Sequence, residues 1–392
     1  MKEHKIRRIY RRDGDSGTVY EHLKKALPDT PETDIDAEGE KALRHLTLTE
    51  GKQEILLSRA QGSLLKPCPG TDETYLCCNY WVLNQSSNCP IDCSYCILQY
   101  YLTSPVLTQY TNIEDMKNDI RRKTASEPGR FLRIGTGELA DSLALDHLSG
   151  AAGELILFAA EEKRFLLELK TKSDRVQQLL QLPHEGYTVL AWSLNPEFII
   201  ESEEHKSASL EERLSAAEAA QKAGYKLAFH FDPMLLYPDW ERGYEELLRR
   251  LFERIDPAGI TWISLGSLRY PPEMKDRARD KFPASPIFLN EMVLGRDGKM
   301  RYLKPLRLQM YRRMTQWLKD YGSPDLFLYF CMEDREIWEQ CMTVVPENNQ
   351  HLEYLFIQSL RERFPSLNIP PSEAGDYRTF ITPGRPGGQG GR

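Results

Sequence analysis

The sequence lacks any apolar stretch long enough to span a membrane: Ala151–Ala160 is too short and runs into Glu161-Glu162-Lys163. The opening residues, Met1-Lys2-Glu3-His4-Lys5, lack the apolar core of a secretion signal. There is no excess of positive charge either. The formal net charge of −7 argues against a general nucleic-acid binder. Basic residues nevertheless gather at two places, Lys5, Arg7, Arg8, Arg11 and Arg12, then Lys299, Arg301, Lys304, Arg307, Arg312 and Arg313. Such runs are more often solvated faces than binding sites. Cysteines are few, eight in 392 residues, and without a secretion signal they point to a reducing cytoplasm and to metal ligation. Hydrophobic content of 41% and charged content of 28% are ordinary for a globular protein, with length for one large domain and an appendage.

Three of the eight cysteines stand together in Cys89-Pro-Ile-Asp-Cys93-Ser-Tyr-Cys96, spaced C-x3-C-x2-C with an aromatic residue before the last. Three thiolates on one short loop can hold three irons of a [4Fe–4S] cluster and leave the fourth without a protein ligand. An open iron can chelate the amino and carboxylate groups of S-adenosylmethionine (SAM). Electron transfer from the cluster then splits the sulfonium and releases a 5′-deoxyadenosyl radical. Zinc wants four ligands, commonly as paired C-x2-4-C units, and disulfides do not suit the cytosol. The spacing resembles the radical-SAM signature.

Hydrophobic patterning places a series of strand and helix units around that loop. The strands are expected at Tyr80–Leu83, Phe131–Ile134, Leu166–Lys170, Tyr187–Trp192, Lys226–Phe231 and Ile260–Leu265. Helices are expected from Asn112 to about Lys123, over Leu143–Lys163, from a Ser173 cap to Leu182, from the Ser209/Glu212 capping box to Ala223, and over Glu241–Ile255. Six units in a row predict a parallel sheet with right-handed crossovers, closing as a partial (β/α)6 TIM-type barrel with chemistry at the C-terminal strand ends. The expected divisions are a small N-terminal α/β region over 1–79, the barrel over 80–270, a C-terminal extension over 271–383, and a disordered Gly-rich tail over 384–392. Within the extension, helices accompany a hairpin over Met292–Leu303 that turns at Asp297-Gly298.

From about residue 60 to 315 the chain resembles the spore photoproduct lyase branch of radical-SAM enzymes. The resemblance is carried by CPIDCSYCILQYYLTSP over Cys89–Pro105, Asp146-His147-Leu148, Thr171-Lys172 and Ser193-Leu194-Asn195. Ala223-Gly-Tyr-Lys-Leu227 through Trp240-Glu241-Arg242-Gly243-Tyr244 extends it. Members of that family use the SAM radical to reverse a thymine dimer in DNA. The resemblance implies cluster ligation by Cys89, Cys93 and Cys96, Tyr95 near the adenine, Lys172 paired with the SAM carboxylate, and Ser193 at the same cofactor. Gly135-Thr136-Gly137-Glu138 resembles the radical-SAM motif in which small residues (Gly135 and Gly137) admit SAM closely and a glutamate, Glu138, binds its ammonium. A bare G-x-G is also common in turns. Phosphate contacts are expected from Arg301, Lys304 and Arg307, as in the corresponding region of the family, and electrons from a flavodoxin or ferredoxin.

Two positions depart from the family. The cysteine that returns hydrogen to the product radical is Glu138 here, and the tyrosine after the third cluster cysteine is Ile97. A carboxylate has no easily abstracted hydrogen, so efficient lyase turnover is not expected unless another cysteine, such as Cys77 or Cys78, replaces it. Cys68, Cys77 and Cys78 read as ligands of a second cluster, as a hydrogen donor, or as buried small hydrophobes. Cys331 and Cys341 read as structural. His230 and Asp232 alternate across Phe231 at a strand end and so are expected to point the same way, either as an acid/base pair or as satisfied core groups. Tyr100, Tyr101 and Trp240 are aromatics for base stacking or for the core.

The leading function is a cluster- and SAM-dependent enzyme abstracting hydrogen from a DNA lesion. The same chemistry on a small molecule, nucleotide or peptide is the alternative, and a non-catalytic Fe–S redox or sensor protein is the other.

Overall fold

The computed structural model describes residues 4–70 and 74–377; the expected tail over 384–392 lies outside them. The main sheet has eight strands in sequential spatial order. They are β1 (Leu65–Pro67), β2 (Trp81–Leu83), β3 (Leu132–Gly135), β4 (Phe165–Thr171), β5 (Thr188–Ser193), β6 (Lys226–Met234), β7 (Ile260–Ser267) and β8 (Leu328–Phe330). β1 runs antiparallel to β2, and every other neighbour pair is parallel. All six expected strands are present. The seventh parallel strand, β8, is only three residues long, too short for a periodic signal, and pairs Ile263 with Leu328.

β5 and β7 are buried along their whole length and read as continuous runs (TVLAWS, ITWISLGS) because the parallel sheet is covered on both faces. One contiguous hydrophobic core joins this sheet to its helices. The helix Leu210–Lys222 carries the full capping box between Ser209 and Glu212. Helices Ile113–Ser126 and Trp240–Arg254 also lie where the pattern placed them. The expected helix over Leu143–Lys163 breaks at Gly150, whose φ of 65° divides it into Asp146–Ser149 and Ala151–Glu162.

No helix forms between β4 and β5. Ser173 Oγ accepts from the Arg175 amide, two residues on, at 3.1 Å, which is a local turn and not an N-cap. Tight i→i+3 turns at Leu179 and Leu182 follow, stopped by Pro183.

A second sheet holds Glu32–Ile35, Arg8–Arg12, Glu54–Ser58, Leu107–Tyr110 and Ser86–Ser87, in that order. Its first four strands are parallel. Its strands Ser86–Ser87 and Leu107–Tyr110, paired with each other, lie on either side of the cysteine loop in the chain, so that loop is tied to this sheet at both ends. The hairpin pairs Met292–Leu294 with Met300–Tyr302, and Arg269–Tyr270 adds to it. Gly298, at φ 73°, makes the turn. Among the described residues no helix is long and apolar enough to cross a membrane.

Candidate active site

The cysteine loop leaves the C-terminal end of β2 and is clamped from several directions. Asn88 sits at φ 67°, donates to the Pro105 carbonyl at 2.6 Å and accepts from the Cys89 amide at 2.8 Å. Lys52, 5% exposed, donates to the Ile91 carbonyl and to Asp92, each at 2.9 Å. Lys281 holds the same Asp92 at 2.5 Å, and the two ammoniums outweigh burial to keep that carboxyl down at about 2. Cys93 pairs backbone with Glu204 in a two-residue antiparallel ladder, and Ser94 donates its amide to the Glu203 carbonyl at 2.8 Å. Gln99 donates to the Cys93 carbonyl at 2.5 Å.

Cys89 and Cys93 are buried and Cys96 is half-buried. Burial pushes the Cys89 thiol up to about 12, Asp141 adds to this, and Lys52 opposes it. Burial and Glu204 raise Cys93 as well, with Lys172 opposing; Cys96 and Cys89 lie close enough to raise it further. Thiols of this kind keep their protons until a metal displaces them. Among the described residues no three His, Cys, Asp or Glu side chains close around a single ion's position. Cys89, Cys93 and Cys96 on one pinned loop are the kind of thiol set that holds a multi-iron cluster.

Glu204 is the hub beside that loop, and no local pattern singled it out. It lies in the polar run Glu201–His205, which reads as surface, yet its side chain has no exposure. Arg213, equally buried, donates to it at 2.5 Å, Asn195 at 3.0 Å, and the Tyr95 hydroxyl donates as well. Lys172 Nζ stands 3.8 Å away and 5.8 Å from the Tyr95 ring centre. The Arg213 and Lys172 cations outweigh burial and hold the Glu204 carboxyl at about 2. Arg213 also donates to the Ser193 carbonyl at 2.9 Å. The structure thus brings Tyr95, Lys172 and Ser193 into one network behind Cys93. Asp141, likewise not anticipated, seats Lys172 by accepting from its amide and from the Thr171 hydroxyl, both at 2.6 Å.

The Gly-rich turn after β3 behaves differently at each residue. A Cβ on Gly135 would fall 1.2 Å from the Tyr80 hydroxyl, so this glycine makes room for Tyr80, which corrects the expectation that it admits a cofactor. At Gly137 a Cβ would approach Lys170 Cβ at 3.1 Å and Ser142 Oγ at 3.3 Å. Glu138 is half-buried and accepts from Asn84 at 3.0 Å. No cation pairs with it among the described residues, which leaves its carboxylate open to an ammonium.

His230 and Asp232 do not form a pair with each other. His230 Nε2 meets Glu168 at 2.5 Å, and Asp232 takes a two-pronged contact from Arg269 at 2.9 and 3.1 Å. Both partners sit on other strands or beyond β7, so alternation along β6 alone was blind to them. Arg269 also donates to Cys331 Sγ at 3.3 Å, which places that cysteine at the strand ends beside Asp232. Cys77 donates to Cys78, and that bond together with the buried Arg133 outweighs burial and holds the Cys78 thiol below its usual range. Cys68 is half-buried and within electrostatic reach of Glu138 and Lys170. Tyr100 and Tyr101 pack edge to face with each other, and Trp240 packs against Tyr244.

The three expected phosphate contacts are otherwise engaged. Arg301, 2% exposed, donates to Asp297 at 2.7 Å and to the Met332 carbonyl at 3.1 Å. Arg307, 5% exposed, is paired with Glu333 and Asp334, and Lys304 with Glu336. The charges of Arg301 and Arg307 are internal to the fold, and of the three only Lys304 keeps partial exposure, in its pair with Glu336.

Comparison with known proteins adds to this geometry. A curated spore photoproduct lyase of Geobacillus sp. (strain Y412MC61) is 29% identical over 244 residues, covering 60% of this chain and 71% of that protein. One from Bacillus subtilis (strain 168) is 30% identical over 174 residues, covering 44% and 50%. The fold matches a solved spore photoproduct lyase mutant with dinucleoside spore photoproduct at TM-score 0.75 and 21% identity, over 84% of this chain and 100% of that one. Another solved mutant, with bound AdoMet and the same dinucleoside, matches at 0.74. The family model for spore photoproduct lyase matches residues 74–330, from just before β2 to the end of β8, and the chain belongs to that family.

Proposed function

We propose that this chain is a radical-SAM enzyme that acts on a thymine-derived lesion in DNA, in the cytoplasm, with electrons from a flavodoxin- or ferredoxin-type donor. The observation that carries this reading is the pinned cysteine loop backed by the Glu204 network within a member of this family. Curated relatives bear the lyase name, and a solved relative carries both AdoMet and the dinucleoside photoproduct.

Cys89, Cys93 and Cys96 would hold the [4Fe–4S] cluster. Together with SAM, that cluster supplies a carbon radical capable of hydrogen abstraction. Lys52 and Lys281 neutralise Asp92 within the loop, so its carboxylate adds little negative charge beside the cluster. Glu204 and Arg213 hold Lys172 and Tyr95 against Cys93, where an ammonium suits a carboxylate ligand. Glu138, fixed by Asn84, would offer a carboxylate to an ammonium. Hydrogen return needs a thiol, and position 138 has none. Cys77 and Cys78 are buried against each other and Arg133, whereas Cys68 is half-buried, within electrostatic reach of Glu138, and takes that role in this reading.

The test is anaerobic reconstitution with iron, sulfide, SAM and dithionite, then mass spectrometry after adding dinucleotide spore photoproduct. Lesion-dependent 5′-deoxyadenosine and thymine product are expected, with Cys93→Ala abolishing both. 5′-Deoxyadenosine unaffected by the lesion, with no thymine product, would reject DNA-lesion chemistry in favour of a small-molecule substrate.

A further inference from the structure

We infer that the cleft between the second sheet and the mouth of the barrel binds the phosphodiester backbone of the strand flanking the lesion. This assignment rests on the DNA-lesion reading above and replaces the hairpin arginines as the phosphate contact.

The cleft has a volume of about 480 Å³, and its lining includes Asn84 and Leu139. Those two residues flank Glu138, one by its 3.0 Å hydrogen bond and the other by chain continuity. The cleft therefore opens directly onto the C-terminal strand ends where the substrate must sit. Its volume suits a segment of one strand and not the face of a duplex.

Its charge is one-sided. Lys41, Arg44, Arg59 and Lys66 line it against a single carboxylate, Glu40, and Arg12 already neutralises that carboxylate at 3.4 Å. Arg44 and Lys66 are exposed and have no carboxylate partner among the described residues. Lys41 and Arg59 are in exposed pairs with Glu38 and Asp115, contacts weak enough for a phosphate to displace. The remaining wall is rich in serine and threonine hydroxyls, which serve phosphate oxygens without reading sequence. Lys66 lies on β1 opposite Val82 of β2, so a rigid ladder fixes one cation beside the strand that leads into the cysteine loop. A chain of net negative charge needs such a local cationic track to approach nucleic acid.

The experiment uses the reconstituted full chain with SAM and no reductant. Fluorescence anisotropy follows binding of a labelled single-stranded oligothymidylate bearing one spore photoproduct, across a range of potassium chloride. Each phosphate neutralised contributes about −0.7 to the slope of log K against log salt on a single strand. Arg44→Gln with Lys66→Gln is expected to weaken binding roughly tenfold at low salt and to flatten the slope by about 1.4. Arg296→Gln with Arg312→Gln, near the hairpin, is expected to leave the slope as in wild type. An unchanged slope in the first variant, or flattening only in the second, overturns the assignment. So does a loss seen with duplex DNA and not with the single strand. If wild type binds no oligonucleotide at low salt yet still converts the free dinucleotide, this inference fails and the lesion reading stands. If it does neither, both fail.

Discussion

Replacing Glu204 with Gln removes one negative charge from a site where two cations face it and water does not. Arg213 and Glu204 have no side-chain exposure, and their 2.5 Å contact is part of the network that holds Lys172 and Tyr95 behind Cys93. The Glu204 carboxyl lies at about 2 in the fold against an ordinary 4.5, which corresponds to roughly 3 kcal/mol. Uncoupling a buried pair by removing one partner gives an independent figure of about 3–5 kcal/mol, and an amide that keeps its hydrogen bonds falls at the lower end. The two routes agree on about 3 kcal/mol, or a fall of about 4 °C in Tm for a chain of this length.

The sign of the pH dependence follows from a depressed folded-state value. The stabilisation is complete above about 4.5 and is lost as pH falls from there towards about 2, because protonated Glu204 has no more charge than Gln. Thermal melts of the apoprotein from pH 3.5 to 8 should show wild type and variant well separated at neutral pH and converging at the acid end. Melts that stay parallel across that range, or coincide at pH 7, would refute the argument. Isothermal titration with SAM should show weaker binding in the variant, since Lys172 loses the carboxylate that seats it.

Lys52→Met leaves Asp92 with Lys281 alone and strips a buried cation from beside Cys89, so the reconstituted cluster should become harder to reduce. EPR-monitored potentiometry reads this directly, and a potential that stays put or rises would contradict it. Arg301→Ala should behave as a stability variant, with Asp297 left without its closest cation at a cost of about 3 kcal/mol in a melt. An undiminished melting temperature with a large loss of DNA affinity would return Arg301 to the surface role that its sequence context suggests.

The parts of the fold legible in the sequence are those that local pattern decides. β5 and β7 are long apolar runs between turn signals, and the helix at Leu210 begins with a capping box whose two hydrogen bonds both form. The cysteine loop was legible because spacing alone limits which metal groups three thiols can share. What escaped the sequence was decided by remote segments. Ser173 looked like a helix cap, but its hydroxyl serves the residue two places on, and Trp192 of β5 donates to its carbonyl at 3.0 Å from the next strand.

Charge misled for the same reason. Arg307 and Glu333 are 26 residues apart and meet in the interior, so one arginine of a basic run in the sequence became a buried brace. Glu204 and Arg213 are only nine residues apart, but a strand end and a helix place them face to face behind Cys93. A charge in a sequence has no address until the fold supplies or withholds its counter-charge. Arg44 and Lys66 drew no notice as isolated cations in unremarkable segments. They become informative only because the fold sets them on one cleft with no carboxylate partner among the described residues. Withheld pairing, more than basic composition, marks where this acidic chain can receive a polyanion.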